Sequence, residues 1–220
     1  ILDQVLIAGQ LLGFEKRKVR NIVFMGMGEP FHNEENLYQA IDYLTAPDLF
    51  HYPPSRILVS TVGIADAMLR CATRFPQVHL ALSLHSVRQE VRERLIPLAR
   101  TIPLQHLRDI VREINERFHA PVMIEYLLLA DLNDSTEDAR ELIEWVKGLS
   151  VHVNLIPFNP IDESPHLSGS TPPTREAFAA QLKAAGVKTT LRYSLGQDIA
   201  AACGQLVRHE NRRRALGSNL

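Results

Sequence analysis

Asn21-Ile22-Val23-Phe24-Met25-Gly26-Met27-Gly28-Glu29-Pro30 is the stretch that decides the fold. Its apolar run stops on glycine and is followed by a carboxylate and a proline. A short continuous run of this kind, bounded by glycine, suits a strand buried on both faces, as in a parallel sheet. A strand-then-glycine unit must next be followed by a crossover, and the sequence supplies one. Residues 34–46 repeat apolar positions at helical spacing, and Pro53-Pro54 then breaks the chain.

Downstream the same alternation recurs. Residues 56–61 read as a second strand ending at Val62-Gly63, and 64–75 as a helix. His79 to His85 reads as a third strand, placing His79 and His85 on one element. A helix is expected over 104–118, where Pro103 fits the first turn. Residues 123–129 form a fourth strand, and Asp134-Ser135-Thr136-Glu137 opens a helix with capping residues in front. Residues 151–158 form a fifth strand and 161–173 a surface loop rich in Pro, Ser and Gly. A helix over 174–185, stopped by Gly186, leads to a sixth strand over 187–193. Upstream, residues 1–13 read as a helix stopped by Gly13, entered in mid-pattern at Ile1, so further protein is expected before it. The charged connection from Glu15 to Arg20 suits a solvated loop as well as a phosphate contact.

Strands alternating with helices imply parallel strands joined by crossovers. The expected fold class is α/β, a partial (βα) barrel with its first strand missing, in a single domain over residues 1–220. In such a barrel the chemistry gathers past the C-terminal ends of the strands. The residues there are Gly26, Gly28 and Glu29, then Ser60 and Thr61, then Ser83 and His85, then Asn159, and finally the stretch from Gly196 to Cys203. Glycines at strand ends are ordinary turn residues. A histidine there is not, which makes His85 the more informative member. Ala200-Ala201-Ala202-Cys203-Gly204 surrounds one thiol with small neighbours, leaving room for a bulky partner, although most free cysteines are simply buried hydrophobes.

Bulk properties set limits. The formal net charge is −1 over 220 residues, so no global field draws the chain to nucleic acid or membrane. No run is apolar for the length of a membrane span, and no signal-peptide pattern opens the chain. Two cysteines, Cys71 and Cys203, make no disulfide framework, and a cytoplasmic setting is expected. No pair of residues has metal-ligand spacing, so no metal site is expected. Cys71, among Leu69, Ala72 and Phe75, reads as a core residue.

Six blocks occur together and in order: residues 21–30, Ser60-Thr61-Val62-Gly63, Leu82-Ser83-Leu84-His85, Ile124-Glu125-Tyr126, Asn154 to Pro160, and Asp198 to Leu206. In this the chain resembles the RlmN/Cfr family of radical S-adenosylmethionine (SAM) RNA methyltransferases, over essentially its whole length. The resemblance implies a radical SAM type of barrel. It implies methyl transfer to a ring carbon of adenosine, C2 in the RlmN branch and C8 in the Cfr branch, in 23S ribosomal RNA and, for some members, transfer RNA. It implies SAM as cofactor, contacted by Gly28, Glu29, Ser60, Ser83, Leu84, His85 and Asn159. Cys203 is the implied methyl-carrying cysteine. A 4Fe-4S cluster and an external electron donor are implied as well.

The family's Cys-x3-Cys-x2-Cys cluster loop is absent from this sequence and is expected upstream of Ile1. The chain alone is therefore expected to be inactive. Two other readings stand beside this one: a degenerate, non-catalytic paralogue that binds SAM or RNA, and an unrelated barrel enzyme using His85 and Glu29 for acid–base work. Arg208, Arg212, Arg213 and Arg214, with Lys16, Arg17, Lys18 and Arg20, are the candidates for RNA phosphate contact.

Overall fold

The computed structural model describes residues 1–26, 28–159 and 166–192. Six strands form one sheet in chain order, β1 (Ile22–Phe24), β2 (Ile57–Thr61), β3 (His79–Ser83), β4 (Val122–Leu128), β5 (Val151–Pro157) and β6 (Thr189–Leu191). The α/β alternation expected from the sequence is present. β1 pairs parallel with β2, β2 with β3, and β5 with β6. The chain divides into two compact units, one of residues 1–83 and 98–123, the other of residues 84–97 and 124–220.

The first unit carries β1 to β3 with helices α1 (Leu2–Phe14), α2 (Glu34–Thr45), α3 (Ala65–Arg74) and α5 (Leu104–Phe118). α5 forms because Leu107, Ile110, Val111 and Ile114 recur at helical spacing and are all buried. Leu37, Ile41 and Leu44 of α2 do the same, and Ile57 and Val59 of β2 and Met68 and Cys71 of α3 are buried in the same unit. Gly63 closes the turn from β2 into α3 with φ of 107°, and a Cβ there would lie 2.8 Å from a Leu107 methyl. Only glycine meets both conditions.

β1 departs from expectation. It is three residues long and stands first in the strand order, with Val23 57% exposed among the described residues. α1 runs through Gly13 and buries none of its residues. Arg17 pairs with Glu15 at the surface.

The second unit carries β4 to β6 with α4 (Gln89–Leu95), α6 (Thr136–Val146) and α7 (Pro172–Ala184). α4 was not expected from the sequence. α6 starts as read: Ser135 caps it, and Asp138 completes a capping box. α7 starts two residues earlier than its periodicity suggests, because Thr171 accepts from the Thr174 amide and Pro172 sits in the first turn. Along β4 the side chains alternate. Tyr126 is fully buried with its ring against Phe178 of α7. Its neighbour Glu125 points to the opposite face and meets Asn154 of β5.

No helix among the described residues is long and apolar enough to cross a membrane.

Candidate functional site

In the first unit the glycine stretch leads into Glu29, which caps a short 3₁₀ turn (Pro30–Asn33). Gly26 and Gly28 are exposed, and no heavy atom lies within 4 Å of where a Cβ would sit on either. Gly28 has φ of 98°, which a side chain would resist. One oxygen of Glu29 accepts from the Phe31 amide at 3.1 Å and the Thr61 hydroxyl at 2.8 Å. The other accepts from the Val62 amide at 2.7 Å. Thr61 in turn accepts from the Gly63 amide at 3.0 Å. The Glu29 carboxylate thus fastens the loop after β1 to the end of β2. What the stretch offers a ligand is chiefly the peptide groups around Gly28 and Glu29. Ser60, buried, and Ser83, half-buried, stand at the ends of β2 and β3.

In the second unit Leu84 and His85 follow β3. His85 is not on the strand with His79: it lies beyond the strand end with φ of 59°, a left-handed conformation uncommon outside glycine. Leu84 is fully buried, its amide donates to the Glu125 carbonyl at 3.0 Å and its carbonyl accepts from the Ser86 amide at 2.8 Å. The His85 amide donates to the same Glu125 carbonyl at 3.3 Å.

The ring of His85 is fixed as well. Its Nδ1 accepts from the Leu127 amide at 3.1 Å. Burial, with the nearby positive charge of Arg92, pushes its pKa down to about 4, against a smaller opposing effect of the hydrogen bond to the Glu125 backbone. The ring is therefore neutral at pH 7, with its proton on Nε2.

Asn133, which the sequence reading passed over, holds this turn together. It is fully buried. Its Nδ2 donates to the carbonyls of His85 at 2.6 Å and Leu127 at 2.7 Å. Its Oδ1 accepts from the Leu129 amide at 2.8 Å, and its carbonyl accepts from the Tyr126 hydroxyl at 2.9 Å. The only sequence signal was an Asn-Asp pair after a strand, which also describes an ordinary turn.

Two further polar groups were missed. Glu125 is 1% exposed; burial raises its pKa, opposed by Asn154 and Arg192. Arg92 is fully buried and burial pushes it down to about 10. Asn159, two residues beyond β5, is buried at 5% exposure. Cys203 and the arginines at 208 and 212–214 lie outside the described residues.

The donor set does not fit an iron–sulfur cluster. Among the described residues no three His, Cys, Asp or Glu side chains are placed to hold a metal ion. Cys71 is fully buried, and desolvation with the nearby charge of Glu34 pushes its thiol up to about 12. Cluster ligation needs several accessible thiolates.

The fold is that of a radical SAM methyltransferase. A crystal structure of such an enzyme from Sphaerobacter thermophilus superposes with a TM-score of 0.89 at 39% identity, covering 92% of this chain and 59% of that one. A domain of the pyruvate-formate lyase-activating enzyme from Bacteroides vulgatus shares the fold at a TM-score of 0.60 and 17% identity, over 80% of this chain and all of that one.

By sequence the chain is a homologue of the RlmN-named RNA methyltransferases. It is 58% identical over 98% of its length to a probable RNA methyltransferase of Rhodopirellula baltica. It is 42% identical over 94% of its length to a probable dual-specificity RNA methyltransferase RlmN of Thermus thermophilus. It spans 57% and 58% of those two proteins. No profile of a protein family matches the chain.

Proposed function

We propose that this chain is the SAM-binding core of a radical SAM RNA methyltransferase acting on a ring carbon of adenosine, C2, in 23S ribosomal RNA and in transfer RNA. The observation that carries the reading is 42% identity over 94% of the chain to a protein named a probable dual-specificity RNA methyltransferase RlmN. The geometry agrees in kind. Gly28 and Glu29 offer peptide groups with open space beside them, suited to the amino-acid end of SAM. Ser60, Ser83, the Leu84–His85 main chain and ring, and Asn159 are polar groups at or just beyond strand ends, where a barrel of this type binds its ligand.

Cys203 is the thiol that takes and passes on the methyl group. An aromatic carbon is a poor nucleophile toward a sulfonium, whereas a thiolate is a good one. The cluster supplies reductive cleavage of SAM when bound, and the described residues of this chain do not hold it. RNA and an external electron donor are the partners, in the cytoplasm. The isolated 220-residue chain is inactive on this reading.

The test joins the chain to the N-terminal part of its Thermus thermophilus relative that the chain does not span, and supplies iron, sulfide, SAM and a reductant. A fragment of 23S RNA should gain a methyl group on adenosine, and Cys203→Ala should abolish the gain. A cluster-loaded, SAM-binding protein that transfers no methyl group overturns the proposal. Methylation at C8 overturns its regiochemistry.

A further inference from the structure

We propose that the outward stripe of α1, Ile7, Leu11 and Phe14 with Leu6 beside them, is the seat of the N-terminal part that the longer relatives carry and this chain does not span. The inference is independent of what the chain binds or catalyses.

α1 carries apolar residues on two sides. Leu2, Val5, Ala8 and Leu12 recur at helical spacing and are half-buried. Leu6, Ile7, Leu11 and Phe14 are 50%, 57%, 63% and 89% exposed. Ile7, Leu11 and Phe14 stand four and then three residues apart, so they line one face of the helix. A surface helix normally turns charged residues outward. α1 has one charged side chain, Asp3, in 13 residues. A helix of this length is marginal in water without a packed apolar face, yet α1 buries none of its residues. Single apolar residues on a surface need no explanation, whereas a contiguous stripe marks a contact.

The uncovered surface continues beyond the helix. A cleft of about 420 Å³ runs from the start of α1 to α2, with Ile1, Leu2, Asn36 and Tyr43 in its lining and Tyr43 42% exposed. β1 stands first in the strand order with Val23 exposed. All of these residues lie in the first unit.

The occupant follows from length and tethering. The chain spans 57% and 58% of two relatives, so a large part of each lies outside it. A segment leading into Ile1 emerges at the N-terminal end of α1, beside the cleft. Tethered there, it meets the stripe at an effective concentration that is roughly millimolar. A second copy or a separate protein would have to match that in free solution. The complementary surface is an apolar helix or strand face with few charges, because α1 offers only Asp3 for an ion pair.

The test compares hydrogen exchange in the 220-residue chain with that in the chain joined to the N-terminal part of its Thermus thermophilus relative. Peptides covering residues 2–14 should exchange about tenfold more slowly, or slower still, in the joined protein. Leu11→Asp combined with Phe14→Asp should return that exchange to within about threefold of the chain alone, while α5 keeps its wild-type protection. Equal α1 exchange in the two proteins, with α5 protected in both, overturns the inference, and so does a joined double variant in which α1 stays slow. Self-association of the joined protein that Leu11→Asp abolishes overturns it in favour of a second copy. If the joined protein is insoluble, the two parts are coexpressed as separate polypeptides with an affinity tag on the N-terminal one. The wild-type chain should then copurify and the double variant should not; copurification of both, or of neither, overturns the inference. None of these readouts depends on methyl transfer.

Discussion

The carboxylate of Glu125 on β4 accepts a hydrogen bond from Asn154 Nδ2 on β5 at 2.8 Å, while its other oxygen is closed to solvent and receives no hydrogen bond from the described residues. A carboxylate so placed is costly to ionise.

Glu125→Gln should therefore stabilise the protein at neutral pH. Burial raises the folded-state pKa of Glu125 above its ordinary value near 4.5. A raised carboxyl contributes full stability below the unfolded value and loses it as pH rises through the folded one. Glutamine still accepts from Asn154 and carries no charge to desolvate. Thermal midpoints should differ by about 2–4 °C in favour of the variant at pH 8, the shift that about 1 kcal/mol makes in a chain of this size. The difference should shrink toward pH 4. A variant less stable than the wild type at pH 8 would sink this account. A stabilising substitution at this position would also mean that the glutamate is kept for something other than stability.

Thr61→Val should loosen the first unit. The hydroxyl donates to Glu29 and accepts from the Gly63 and Ile64 amides, and valine preserves the shape while removing all three bonds. Taking one of two donors from a half-buried Glu29 oxygen and the acceptor from the Gly63 amide costs about 1–3 kcal/mol. Urea unfolding should show the loss, and Thr61→Ser should recover most of it. If valine unfolds at the wild-type urea concentration, the Glu29–Thr61 link is not holding the loop.

Asp138→Ala removes two roles at once. Asp138 is 6% exposed at its side chain and pairs with Arg88 at 2.7 Å. It also receives the Ser135 amide at 3.1 Å and completes the capping box of α6. Loss of a box and of a buried ion-pair partner should cost about 2–4 kcal/mol. Denaturant midpoint is the readout, and Asp138→Asn, which keeps an acceptor for the cap, should fall between the two.

How far these features were legible in the sequence follows from what each depends on. Period and punctuation reveal α5 and the Ser135 cap, because both are local. α4 escaped because it is short, uncapped and charged, and its Arg92 is buried only by the fold around it. The blocks around Glu29 and His85 stand out in the sequence, but the partners Thr61 and Asn133 are distant from them in it. For that reason Glu29 looked free for a ligand when its carboxylate holds β2, and Asn133 looked like any turn residue.

The contrast between the two cysteines gives a last prediction. Cys71 is fully buried in α3, and its thiol is pushed up to about 12 by burial and by the charge of Glu34. At pH 8 the thiolate fraction is then on the order of 10⁻⁴, and access is closed besides. A folded Cys203→Ala chain should take up no iodoacetamide at pH 8 over an hour, and should react fully once unfolded in urea. Cys71→Ser should cost about 1–3 kcal/mol, since it puts a hydroxyl in a fully buried apolar site. Labelling of the wild-type chain then reports on Cys203 alone, and so does any isotopic methyl group found on sulfur. Rapid alkylation of folded Cys203→Ala would show that Cys71 is accessible, and would remove the basis for assigning a sulfur-bound methyl group to Cys203 without peptide mapping.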